Sequence, residues 1–135
     1  MRFYLFFLFL FSTQIFAQNN ISGKSLICKY GKKGNIYEAY LFYKKKYISK
    51  YLFLEKDTYR IRNNEKRAYK LTSDHIKIKP FLIDKTNLEV LDTEFDVIIG
   101  NCEIYNNHET AINFMKELSN KMQKAINDSL GRKEI

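Results

Sequence analysis

From Lys24 to Tyr105 the chain alternates apolar and polar residues in short runs of β-formers broken by tight polar turns, a texture that leaves little choice but antiparallel strands. Leu26, Cys28 and Tyr30 share one face of a first strand. Gly31-Lys32-Lys33-Gly34-Asn35 reads as a turn. Tyr37, Ala39, Leu41 and Tyr43 share a face of the next strand, and Lys44-Lys45-Lys46 forms a hairpin tip. In Tyr47–Leu54, Ile48, Lys50, Leu52 and Leu54 lie opposite Tyr47, Ser49, Tyr51 and Phe53. Shorter strands follow around Tyr59–Arg62, Tyr69–Thr72, His75–Lys79, Phe81–Ile83 and Leu88–Val90. The single proline, Pro80, belongs at a strand boundary or edge. Phe95–Tyr105 is the last strand, with Cys102 on the face of Ile98, Gly100 and Ile104. One face of each strand is polar, as on a sheet with one side in water. The expected fold is mainly β. It is a single antiparallel meander of seven or eight strands over residues 18–106, closed as a barrel or folded as a sandwich.

The texture changes after Tyr105. Residues 107–131 read as a C-terminal amphipathic helix capped by Asn107, with Glu109 in its first turn. Ala111, Met115, Leu118, Met122, Ala125 and Ser129 recur at helical spacing, widened by Ile112, Phe114 and Ile126, and Gly131 is the expected stop. The Met115-Leu118-Met122 face should cover an open end or one face of the sheet.

Residues 1–17 read as a cleavable signal peptide. Arg2 supplies positive charge, Phe3–Phe11 is an unbroken apolar run, and Ala17 is a small residue at the cleavage point. The run is shorter than the ~20 apolar residues of a spanning helix, and no Cys follows it to carry a lipid. The expected location is periplasmic or secreted, with no transmembrane segment after cleavage. Removing this segment lowers the net charge only from +8 to +7, because Arg2 is its one charged residue.

Two cysteines remain, Cys28 and Cys102, and an exported chain with an even count favours a disulfide. Two buried thiols are the alternative. Catalytic redox use is not indicated, since there is no C-x-x-C.

Several chemistries fail on spacing. Gly23-Lys24-Ser25 lacks the earlier glycine of a phosphate loop, position 18 being Gln. His75 and His108 with two paired cysteines make no zinc set. Asp74-His75 has no nucleophile context, so a turn aspartate and a solvent-facing strand histidine are expected. Asp92, Glu94 and Asp96 alternate, which places them on one solvated strand face. No catalytic residue, metal or cofactor is expected, and the chain is read as a non-enzyme.

Basic residues cluster beside tyrosines. Lys32, Lys33, Lys44, Lys45 and Lys46 occupy turns, and Arg60, Arg62, Lys66, Arg67 and Lys70 surround one hairpin, Lys44, Lys45, Lys46, Arg60, Arg62 and Arg67 being the strongest of them. These are candidate anion-binding residues. An exported chain would meet lipopolysaccharide, acidic phospholipid or acidic glycan rather than nucleic acid. Solubilising turns and blunted strand edges are the competing explanation.

The order of these features resembles small uncharacterised exported proteins of Gram-negative bacteria. The likeness rests on Leu26-Ile27-Cys28-Lys29-Tyr30, on Ile83-Asp84-Lys85-Thr86-Asn87-Leu88-Glu89-Val90-Leu91 and on Asn101-Cys102-Glu103-Ile104. The middle segment departs from that pattern. Lys85 stands where Arg is usual, and one extra residue separates Thr86 from Leu88. The resemblance implies a periplasmic β-domain with a Cys28–Cys102 bridge and no particular activity. A more distant likeness is to disulfide-closed barrels that inhibit lysozyme, but lysozymes are basic and a +7 partner would be repelled. The sequence therefore points to a small exported binding or interaction module, possible partners being anionic envelope components. A lipocalin-like carrier of a small apolar ligand is the alternative.

Overall fold

The computed structural model describes residues 20–31 and 36–134, with side chains as far as Gly131. Residues 1–17, read above as a signal peptide, and most of the turn after Gly31 lie outside these residues. The chain is mainly β, with ten antiparallel strands curled into a half-barrel and one C-terminal helix. The strands are β1 (Ser25–Tyr30), β2 (Ile36–Phe42), β3 (Lys46–Glu55), β4 (Thr58–Asn63), β5 (Arg67–Ala68), β6 (Lys70–Leu71), β7 (His75–Ile78), β8 (Phe81–Asp84), β9 (Glu89–Asp92) and β10 (Val97–Tyr105). The helix is α1 (His108–Glu134).

The sheet order is β4-β3-β2-β1-β10-β9-β8-β7-β6, with β5 paired to β3. Two meanders are thus joined where the first strand meets the last. At that join Cys28 and Cys102 are register partners and are bonded as a disulfide. The count exceeds the expected seven or eight, in part because Arg67–Leu71 holds two short strands. Its first half pairs with β3 and its second with β7. This segment forms a seam between the two ends of the curled sheet.

The concave face holds the larger core. Leu26 and Cys28 of β1, Tyr40 and Phe42 of β2 and Tyr47 of β3 meet Ile76, Ile78, Ile83 and Val90 from the other half. The second core lies outside, where Ala111 and Met115 of α1 pack on Ile27, Ala39, Leu41 and Leu52. Leu118 and Met122 extend that contact, so the helix covers one face of the sheet. Asn107 caps it, its Oδ1 accepting from Thr110 N at 2.8 Å. His108 Nε2 lies 2.9 Å from Phe42 O and ties the first turn to β2. Gln123 bonds Tyr59 N and Asp57 O at 2.7 and 2.9 Å, which covers part of the β4 edge.

Four expectations are corrected. The helix runs through Gly131 to Glu134. A single helical glycine costs only about 1 kcal/mol, too little to end a helix anchored upstream. Ser25–Cys28 and Ala39–Phe42 are buried on both faces, because α1 covers the side that alternation assigns to water. Register shifts between Ile98 and Gly100, so Ile98 leaves the Cys102 face and is exposed while Ile99 joins the concave core. Asp92, Glu94 and Asp96 do not share a strand face. Only Asp92 is in β9, where its Oδ1 accepts from Glu94 N at 2.9 Å, and Asp96 turns with φ 53°.

The β3–β4 hairpin turns through Lys56 and Asp57 alone, at φ 50° and 63°. Two successive positive φ values define a turn that favours Asn-Gly. Lys56→Asn with Asp57→Gly should raise the stability by about 0.5–1 kcal/mol, read as a higher urea midpoint.

The Ile83–Leu91 segment has a clear local role. Asp84 Oδ1 accepts from Thr86 N and Asn87 N at 2.7 and 3.2 Å. Leu88, at φ 59°, then donates to Asp84 O and accepts from Cys102 N at 2.8 Å. The loop is thereby pinned beside the disulfide. Lys85 is buried within it, its ammonium without a hydrogen-bond partner among the described residues.

Candidate binding site at the seam

Where Arg67–Leu71 crosses from β3 to β7, a cleft of about 350 Å³ opens, lined by Tyr47, Arg67, Ala68, Tyr69, Lys70, Lys77 and Lys79. Alternation explains its charge. Ile76 and Ile78 point into the core, which turns Lys77 and Lys79 outward. Lys70 is the direct cross-strand partner of Lys77. Like charges placed opposite one another destabilise a strand pair, and among the described residues no carboxylate lines this cleft. Tyr69 anchors the floor. Its ring lies 5.1 Å from that of Phe42, and its hydroxyl donates to Tyr43 O and Lys44 O.

A second pocket of about 150 Å³ adjoins the first and shares Tyr47, Arg67 and Lys79 with it. One wall is polar, from Glu38, Tyr40, Ser49 and Asn64, and the other is Ile78, Pro80 and Phe81. Asn64 Nδ2 donates to Ser49 Oγ at 2.8 Å. Ser49 and Tyr40 hydrogen-bond Glu38, and the Tyr40 hydroxyl is 2.7 Å from that of Tyr30. Burial raises both tyrosine hydroxyls well above the ordinary value, so they remain protonated at neutral pH.

Burial also raises the Glu38 carboxyl, against the lowering effects of the Ser49 and Tyr40 hydrogen bonds and the Arg67 charge. The folded chain then holds this proton more tightly than the unfolded chain. Glu38 contributes stability that is lost as pH rises from the unfolded value near 4.5 through the raised folded one. The variant Glu38→Gln cannot titrate. Its stability relative to wild type should improve as pH is raised from about 4 to about 8, by paired urea titrations. A difference that stays constant across that range would contradict the assignment.

Of the sequence-predicted cations, only Arg67 lines the cleft. Lys44, Lys45 and Lys46 are exposed at the β2–β3 tip, with Lys45 O accepting from Tyr69 N at the side of the seam. Arg60 and Arg62 both point to solvent from β4. Arg60 pairs with Glu55 at 3.4 Å, and Arg62 reaches Tyr51 OH and covers the Phe53 ring. Lys70 belongs to the basic cluster seen in the sequence but not to its candidate set, and the site cations missed altogether are Lys77 and Lys79. The missed polar group is Glu38, and its signal was its place on the Tyr40–Phe42 face, an acid among aromatic residues that point inward.

His75 is half-buried at the start of β7, and Asp74 O accepts from Lys85 N at 2.9 Å. Among the described residues no group of three or more His, Cys, Asp or Glu could hold a metal ion. No helix among them is long and apolar enough to cross a membrane. Comparison with protein-family models, curated proteins and solved structures finds no match to this chain.

Proposed function

We propose that the protein is a non-enzymatic binding module that holds an anionic group in the seam cleft. The observation that carries this reading is the convergence of Arg67, Lys70, Lys77 and Lys79 on one cavity without a lining carboxylate. An anion there would relieve the repulsion between Lys70 and Lys77 and accept charge-assisted hydrogen bonds. The Cys28–Cys102 bridge supports an oxidising compartment, in keeping with the signal-like residues 1–17. Acidic components of a cell envelope are then the partners of choice. An apolar-ligand carrier has less support, because Phe42, Tyr47, Tyr69 and Ile78 fill the concave face with their own side chains.

Calorimetric titration with inorganic phosphate tests this function. Binding should weaken steeply between low and physiological salt, as exposed charges are screened over about 8–10 Å. The double variant Lys77→Gln/Lys79→Gln should lose about tenfold in affinity, roughly 1.4 kcal/mol. Arg60→Gln/Arg62→Gln should stay within about twofold of wild type, since isolated surface charges contribute little. Salt-independent binding, or equal losses in the two variants, would contradict the cleft.

A further inference from the structure

The cationic cleft does not end at its cations. It continues, through Tyr47, Arg67 and Lys79, into a pocket with a carboxylate on its wall. A carboxylate there opposes a second anionic group, which disfavours polyphosphates and dicarboxylates that would fill both spaces. It favours hydrogen-bond donors. Ser49 and Tyr40 line this pocket beside Glu38, and Asn64 Nδ2 donates to Ser49 Oγ at 2.8 Å. The facing wall is apolar, and Phe81 is only half-buried there, 6.1 Å from the Tyr30 ring. A polar wall opposite an aromatic one suits a ring with hydroxyls on its edge and C–H bonds on its face.

We propose that the ligand is an acidic sugar. Its anionic group sits among Arg67, Lys70, Lys77 and Lys79, and its ring enters the adjoining pocket, donating a hydroxyl to Glu38 and laying a C–H face on Phe81. This rests on the anion-binding reading above and adds the chemistry of the rest of the ligand. Glu38 also explains why an acid is tolerated at this position: it is a specificity group that selects donors over further charge.

The test compares glucose 6-phosphate, inorganic phosphate and phosphoethanolamine by calorimetry at one pH and salt. Wild type should bind glucose 6-phosphate about tenfold more tightly than phosphate, the scale of one added charge-assisted hydrogen bond. Glu38→Gln should lose most of that preference. Asn64→Ala, which removes the donor to Ser49 on the same wall, should lose part of it and serves if Glu38→Gln fails to fold. Equal wild-type affinities for phosphate and sugar phosphate would overturn the sugar assignment and leave the anion cleft standing. Tighter binding of phosphoethanolamine than of the sugar would replace the sugar by an amine. A preference that survives in both variants would remove Glu38 from recognition. Failure of all three probes to bind would overturn the cleft itself.

Discussion

Replacing Cys28 and Cys102 together by alanine is expected to lower the stability by about 2–5 kcal/mol. The bridge sits at the join of the two meanders, on directly opposed residues of β1 and β10. Its ends are 74 residues apart in sequence, and the chain-entropy model assigns such a loop about 4 kcal/mol. Both sulfurs are also core atoms, Cys28 being fully buried and Cys102 nearly so, so the substitution removes packing as well as a constraint. Urea unfolding of wild type, of wild type with reductant and of the double variant would measure this. The reduced protein and the variant should both unfold at much lower urea. A variant within about 0.5 kcal/mol of wild type, the usual range for surface changes, would place the stability in strand pairing alone.

Gly100→Ala should be nearly as damaging, at about 2–3 kcal/mol, the upper part of the overpacking range. Gly100 faces Tyr30 across the same β1–β10 join, beside the register shift. A Cβ there would run into Lys29 O and lie 2.7 Å from Tyr30 Cδ1. The first contact is with backbone, which cannot retreat without pulling β1 from β10. Gly131→Ala is the contrast, since nothing lies within 4 Å of its added carbon. In a helix it should stabilise by up to about 1 kcal/mol. Urea midpoints moving in opposite directions for these two glycines would bear out both placements. A neutral Gly100→Ala would contradict the close approach of β1 and β10.

The faces of the first strands were legible because period-two alternation survives through β1 and β2. Leu26-Cys28-Tyr30 and Tyr37-Ala39-Leu41 lie on the faces that the sequence assigns them. What alternation does not encode is which face a distant helix will cover. The outer side of β1 and β2 therefore read as wetter than it is. The irregularity at Ile98–Gly100 had no local marker beyond a glycine that also fits a regular strand. The site was hidden for a different reason. Lys44-Lys45-Lys46 is conspicuous because it is contiguous, whereas the cleft draws Arg67 and Lys70 from one segment and Lys77 and Lys79 from another. Only the Lys70–Lys77 pairing brings them together.

The central claim is that anions bind at this seam and not at the conspicuous basic turns. The most direct measurement is a two-dimensional amide NMR titration with inorganic phosphate, with glucose 6-phosphate as a second ligand. The account predicts that shifts concentrate on Arg67–Lys70 and Lys77–Lys79 for both ligands, and extend to Glu38 and Ser49 for the sugar phosphate alone. Shifts centred on Lys44–Lys46 or on Arg60 and Arg62, with the seam unmoved, would contradict it.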